Sequence, residues 1–339
     1  MDNLILPIKN LSMILILIFF CYICLKNSFF IGNLYGLIDI PNKRKIHLKK
    51  IPNFGGLLFV ICSLILFLFL YSTNQLKINL EDLIIINIAS ILIFLVGFYD
   101  DIKNISPYKR IIFFFILLLV IHKNQNLLLN ELYFKNFFIT QISIFNLSIL
   151  LTLFCLFLFY NSFNFSDGAN GIALSSTIIY LSYLLIKIND FDLYIFFNLI
   201  ILILIFLYNI NNRIFIGNSG SSHLSIFLGL IFIYFYNTTS NLFADQIAIL
   251  FLMPGLDMIR VTIQRLLLNK NPFFPDQSHL HHLLMNFIER KSVWVFYSFI
   301  NLMPISFYEL GFESTYIFLF SFILFFLLIY YLKKKKNIV

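Results

Sequence analysis

The chain has 339 residues, of which 60% are hydrophobic and 12% charged, with a formal net charge of +8; soluble domains sit nearer about 45–50% and about 25%. A mean hydropathy of +0.90 is more apolar surface than aqueous cores could bury, which excludes a soluble protein and makes lipid the solvent. The information on function therefore sits in the polar minority.

Apolar runs near the length of a bilayer span fall at about residues 11–30, 55–72, 83–99, 110–122, 143–160, 171–187, 193–209, 222–236, 244–259, 293–309 and 315–332. They predict an all-α integral membrane protein, a polytopic bundle of about 11 transmembrane helices (10–12), in a single domain over 1–339. The motif-bearing region is 35–285, and 293–339 holds the last two spans and a basic tail. Only Lys9 precedes the first run and no small-residue cleavage site follows it, so it reads as a retained signal anchor. Cys21, Cys24, Cys62 and Cys155 all lie inside apolar runs, which argues against a disulfide framework. The C-x-x-C of Cys21 and Cys24 is embedded among Phe19, Phe20 and Tyr22, unlike a zinc or redox loop.

Alternating the loops between two sides puts 18 of the 24 Lys and Arg residues on one side and 5 on the other, with Lys26 inside a span. That asymmetry predicts an outside N-terminus, a cytoplasmic C-terminus and a cytoplasmic basic side. The positive charge is then a matter of topology, and nucleic acid is not needed as a partner. The run Lys333 to Lys336 reads as an anchor beside anionic lipid. Asp39, Asp100, Asp101, Asp167, Asp257, Asp276 and Glu289 share the basic side, as do five of the six histidines. Carboxylates and imidazoles drawn from several loops on one membrane face suggest a composite site for a metal and a phosphorylated substrate.

Five segments build that site. Residues 38–56 carry Lys43, Arg44 and His47, cations able to hold phosphate, between Pro41-Asn42 and Gly55-Gly56. Residues 97–110 place Asp100 beside Asp101 where a helix leaves the membrane, an expensive position for two like charges unless a cation is shared or one carboxylate serves as a base. Residues 161–173, NSFNFSDGANGIA, repeat Asn161, Asn164, Asp167 and Asn170 every three residues, roughly one helical face, before Gly168 and Gly171 interrupt it. Residues 211–223 contain Gly217-Asn218-Ser219-Gly220-Ser221, similar to a phosphate-cradling turn that feeds a helix. Finally, 254–265 and 271–284 bring His279, His281 and His282, a cluster suited to a diphosphate, with zinc the competing reading despite the lack of a nearby Cys.

In this order and on one face, the segments resemble the polyprenyl-phosphate N-acetylhexosamine-1-phosphate transferases, a superfamily that includes the undecaprenyl-phosphate GlcNAc-1-phosphate transferases. The likeness covers roughly residues 35–285, and His-Leu-His-His with NFSDGANG is closer to members that initiate polysaccharides than to the peptidoglycan enzyme. It implies transfer of a sugar 1-phosphate from a UDP-sugar to undecaprenyl phosphate, with release of UMP, at a cytoplasmic site that uses Mg2+ or Mn2+ in a bacterial inner membrane. The implied partners are UDP-sugar, undecaprenyl phosphate, membrane lipid and a second copy of the chain. Asp100, Asp101 and Asp167 are the catalytic candidates, and with Asn218 they are the metal candidates. Lys43, Arg44, His47, Lys103, Lys109, Asn164, Asn170, Phe215, His279, His281 and His282 are the substrate-binding candidates, with Phe215 stacking on uracil. Two positions depart from the family pattern: Asn170 stands where many members have Asp, and Asn218 stands where the family's metal-binding Asp is expected.

Two rival readings differ in class. A transporter or glycan flippase should carry ionisable groups deep in its spans, where this chain has only Lys26, near an end. A homologue with an impaired metal site would keep lipid or nucleotide binding without turnover.

Overall fold

Each apolar run becomes helical, because a backbone in lipid must satisfy its N–H and C=O groups within its own segment. The computed structural model describes residues 2–41, 49–103, 107–188, 190–271 and 278–336. The chain begins with α1 (Asp2–Lys26) and α2 (Ser28–Leu34), bent by 73° from one to the next, then β1 (Ile38–Asp39) and β2 (Ile51–Pro52), a small antiparallel pair. Next come α3 (Gly55–Ser72), α4 (Leu80–Lys103) and α5 (Pro107–Ile121), followed by an antiparallel hairpin of β3 (Glu131–Tyr133) and β4 (Gln141–Ser143). Then follow α6 (Ser148–Ser166), α7 (Ile172–Lys187), α8 (Leu193–Asn209) and α9 (Gly217–Thr238). The last helices are α10 (Ala244–Leu250), α11 (Leu252–Leu267), α12 (Leu280–Leu284), α13 (Val293–Glu309) and α14 (Ser314–Lys336).

All eleven runs fall on a helix or a bent pair, but eleven crossings do not follow from that. Among the described residues, five helices are long and apolar enough to cross a membrane, or seven if each bent pair is one span. The helices α5, α7, α8 and α13 have 15, 16, 17 and 17 residues. At 1.5 Å per residue, 17 residues reach about 25 Å, short of a hydrocarbon core of about 30 Å. The run at 244–259 breaks by 66° between α10 and α11.

At the centre stands α9, buried at every position from Ser219 to Tyr236. Small residues let its neighbours close on its first turns. A Cβ on Gly56 of α3 would lie 2.3 Å from the Gly220 Cα, and one on Gly97 of α4 would lie 2.7 Å from the Asn218 carbonyl oxygen. At the other end of α9, the Tyr236 hydroxyl joins the β3 backbone, accepting from Tyr133 N (2.7 Å) and donating to Glu131 O (2.9 Å). Asp245 fastens the same end, accepting from Lys135 N (3.2 Å), Asn136 N (3.0 Å) and the Ser314 hydroxyl (2.6 Å). The motif-bearing segments are thereby kept to the opposite end of the bundle.

An apolar cleft of about 370 Å³ lies among α6, α9, α10, α11 and the hairpin. Its lining runs from Leu132 and Phe134 on the hairpin, past Phe232 and Phe251, to Ser162 and Met258 near the motif end.

Candidate active site

The acidic pair meets the first turn of α9. Asp101 accepts the backbone N–H of Asn218 (3.1 Å) and of Ser219 (3.0 Å), one on each carboxylate oxygen, and so satisfies two of the amides that a helix start leaves open. Asp100, 3% exposed, accepts from the Asn218 side-chain nitrogen at 3.1 Å. Gly217 makes this approach possible with a left-handed φ of 71°, and a Cβ there would lie 2.7 Å from both Asp101 Oδ2 and Asn53 Oδ1.

The loop at 38–56 joins this turn through backbone bonds, Phe215 N to Pro52 O (2.8 Å), Gly55 N to Phe215 O (2.9 Å) and Gly56 N to Ile216 O (3.2 Å). Phe215 is thus fixed beside Asn53 and half-buried, while Lys43, Arg44 and His47 lie outside the described residues. Lys103 is exposed and sits over the Tyr99 ring at 5.2 Å, and Lys109 is exposed on α5.

Segment 161–173 enters from α6 and α7. Asn164 Oδ1 accepts from the Ser221 hydroxyl of α9 at 2.6 Å, and Asn164, Asp100, Asn218 and Ser222 line one small polar cavity. Asn170 points elsewhere, donating to Asn212 Oδ1 at 2.6 Å, while Asn209 accepts from Gly171 N at 2.7 Å. Although Asp167 retains some exposed surface, burial of its carboxyl pushes its pKa well above the ordinary carboxylate range. The charge of Asp101 pushes the same way, and a hydrogen bond from Ser221 opposes them.

The histidines reach this loop from α12. A Cβ on Gly168 would lie 2.0 Å from His281 Nε2, so the missing side chain is what lets the imidazole in against the turn that follows Asp167. His281 is 1% exposed, and neither ring nitrogen has a hydrogen-bond partner among the described residues. Burial, helped by neighbouring His282, holds its pKa well below that of an ordinary histidine, against the opposing charge of Asp257. His279 stacks on His281 with ring centroids 5.8 Å apart, and His281 meets His282 at 4.2 Å. His279 is itself held, with Nδ1 3.0 Å from Asp257 Oδ2 and Nε2 3.4 Å from the Arg265 guanidinium.

Asp257 entered the sequence reading only as one of the acids on the basic face, and Arg260 and Arg265 only as topology charges, yet all three are buried here. Arg260 binds Asp257 at 2.7 Å and Ser278 O at 2.6 Å, and Asp257 also accepts Leu280 N at 3.1 Å. The available signal was charge spaced i, i+3 and i+8 in an otherwise apolar run, which puts Asp257 and Arg260 on one face of a helix. Asn53 was missed as well, since a lone amide in a basic loop carries no pattern.

Oxygen donors of the kind magnesium prefers are gathered here: Asp100 and Asn164 line one cavity, and Asn53 Oδ1 is buried with no hydrogen-bond partner among the described residues. Among the described residues, no three His, Cys, Asp or Glu side chains converge as a metal-binding group. Magnesium commonly takes one or two carboxylates and completes its shell with water and substrate phosphates, so the donor set fits. Asn218, the fourth ligand that the resemblance implied, turns its amide nitrogen to Asp100.

The description of glycosyl transferase family 4 matches residues 83–236, from α4 to α9. The undecaprenyl-phosphate alpha-N-acetylglucosaminyl 1-phosphate transferase of Pasteurella multocida is 30% identical over 262 residues, 74% of this chain and 71% of the relative. The probable undecaprenyl-phosphate N-acetylglucosaminyl 1-phosphate transferase of Bacillus subtilis is 26% identical over 308 residues, 87% of this chain and 82% of the relative. A Thermotoga maritima relative with the same name as the Pasteurella protein is 27% identical over 292 residues, 84% of each chain. Similarity that runs through the central helices and over most of both chains makes this protein a transferase of glycosyl transferase family 4.

Proposed function

We propose that the chain transfers an N-acetylhexosamine 1-phosphate from a UDP-sugar to undecaprenyl phosphate, releases UMP, and thereby begins a cell-envelope polysaccharide at the cytoplasmic face of a bacterial inner membrane. The observation that carries this reading is the meeting of four separated segments at one end of the bundle, where Asp100, Asn164, Asp167 and His281 come together with the first turn of α9. The names of the relatives supply the acceptor and the sugar class. The 18 to 5 division of basic residues supports the cytoplasmic face.

An oxygen of the lipid phosphate attacks the sugar-bearing phosphorus of the donor, the bond from that phosphorus to the bridging oxygen breaks, and UMP leaves with that oxygen. The nucleophile is already an anion, so the protein's work is to bring two anions into line and to neutralise them. Asp100 orients the lipid phosphate and keeps its attacking oxygen unprotonated. Asn164 and Asp167 face the donor diphosphate, Phe215 offers a ring to the uracil, and His281, whose ring nitrogens have no partner among the described residues, presents them to the sugar phosphate as it departs from UMP. Magnesium, or manganese, held by Asp100, Asn164 and Asp167 would supply charge neutralisation at the diphosphate. The apolar cleft, which reaches this end at Ser162 and Met258, is suited to the isoprenoid tail.

Purified protein, undecaprenyl phosphate, Mg2+ and a panel of UDP-sugars labelled in the sugar test the reading. Label should pass into the lipid fraction with one UMP formed per turnover. Release of UDP would make the reaction ordinary glycosyl transfer, and no transfer from any sugar would favour the homologue without turnover.

A further inference from the structure

We propose that Arg260, Gln264 and Lys333 form a binding site for the phosphate group of an anionic phospholipid, between α11 and the last turn of α14 on the motif side of the bundle. Two cations meet there on one neutral acceptor. Gln264 Oε1 accepts from Lys333 Nζ at 3.1 Å and from Arg260 Nη1 at 3.4 Å. An amide oxygen brings no negative charge, so the two cations are drawn together without being neutralised. Among the described residues Lys333 has no acidic partner, and the carboxylate bound by Arg260, that of Asp257, is shared with His279 Nδ1 and Leu280 N. Arg260 is 6% exposed, and its buried Nε–H has no acceptor among the described residues. Buried donors are seldom left open, and phosphate oxygens match two cations and an unfilled N–H at once.

The surroundings fit a lipid rather than a soluble anion. Helix α14 is long and apolar enough to cross a membrane and reaches Lys333 only in its last turn, which puts that amine at headgroup depth. Gln264 and Lys333 are half-buried, so the cations open to the surface there. Beside Gln264 on α11, Ile263 and Leu267 are 51% and 79% exposed, and Tyr330, one turn before Lys333, is exposed on α14. Apolar side chains on both helices thus accompany the cations, as a headgroup whose acyl chains stay in the bilayer requires. The site also connects to the histidines. Arg260 Nη2 binds Ser278 O at 2.6 Å and Asp257 Oδ1 at 2.7 Å, and Asp257 holds His279. A phosphate that fixes the guanidinium therefore braces the entry to α12.

The full chain in nanodiscs of phosphatidylcholine, with and without a fraction of phosphatidylglycerol, tests the site by melting and by amide hydrogen exchange over residues 278–284. Phosphatidylglycerol should raise the parent's melting temperature by about 3 °C or more and slow that exchange. Lys333→Gln should lose most of both effects, while Lys334→Gln, which removes an exposed lysine of the same run, should keep them. Gln264→Glu sets a tethered anion between the two cations. It should melt above the parent in phosphatidylcholine alone and gain nothing more from phosphatidylglycerol. Equal losses in Lys333→Gln and Lys334→Gln would reduce the effect to general attraction between a basic tail and an anionic surface, and so overturn the site. A parent indifferent to phosphatidylglycerol, or a Gln264→Glu protein that responds as the parent does, would overturn it too. Stabilisation of the parent by inorganic phosphate in phosphatidylcholine, equal to that by phosphatidylglycerol, would overturn the lipid as its occupant. None of these readouts needs turnover, so the sugar-phosphate reading is left to its own assay.

Discussion

Two side chains of the site, one before Gly168 in the chain and the other packed against it, bear opposite electrostatic strain. Asp167 is held in a place that favours its proton, and His281 in one that rejects a proton. For His281 the folded protein keeps the neutral ring, while the unfolded chain takes up a proton near the ordinary value of about 6.5. Acidification therefore favours the unfolded state, and this contribution to stability is lost as pH falls below about 6.5. Between pH 7.5 and 5.5 the parent should lose about 1 kcal/mol more stability than His281→Gln, read from melting at each pH in detergent. Asp100 answers to a kinetic test. Its replacement by Asn should lower kcat by about a hundredfold while donor affinity stays within about threefold, because the orienting charge acts on the attacking phosphate. Equal turnover in the variant and the parent would remove that role.

Among the elements, α3, α4 and α9 bring the site together by close backbone approach. Gly56→Ala would put a methyl group into the Gly220 backbone, 2.3 Å from its Cα, and no flexible side chain is there to yield. Overpacking of this kind should cost about 1–3 kcal/mol and should also move the Phe215 turn that the same contact holds. Lower melting together with weaker binding of a UDP-sugar is the expected pair of results, and lower melting alone would show that the turn tolerates the shift. The helices themselves were legible in the sequence, with 55–72, 193–209 and 293–309 agreeing residue for residue with α3, α8 and α13. The break at Phe251 was not, since hydrophobicity runs straight through it, and the one at Lys26-Asn27-Ser28 was passed over because apolar residues resume at once on its far side. Pro254 sits in the first turn of α11, where a missing N–H costs little, so the sequence carries no clear stop there. The histidine cluster was legible as chemistry. The clasp that holds His279 was not, because Asp257 is 22 residues away and only the fold brings them together.

For the whole molecule, the motif end and the hairpin end face opposite sides if the basic residues set the topology. Single cysteines introduced at Lys103 and Lys270 should be labelled by an impermeant reagent from the same side of sealed vesicles, and one introduced at Thr239 from the other. Opposite labelling of the first two would dismantle the composite site, since both flank segments that meet there.

The apolar cleft has a kinetic consequence of its own. Cys155 and Ile259 belong to its lining and are exposed on the flank of the bundle, so the cleft opens sideways to lipid. On the proposed reading, the acceptor arrives by diffusing within the bilayer plane and never crosses water. Encounter then depends on how many acceptor molecules share each unit of membrane area, and bulk molarity drops out. Diluting acceptor with inert phospholipid at constant total acceptor should slow transfer in proportion, while the same dilution with buffer should leave the initial rate per enzyme unchanged. A cell could then govern the start of glycan synthesis through the crowding of a leaflet, even with the nucleotide sugar in constant supply.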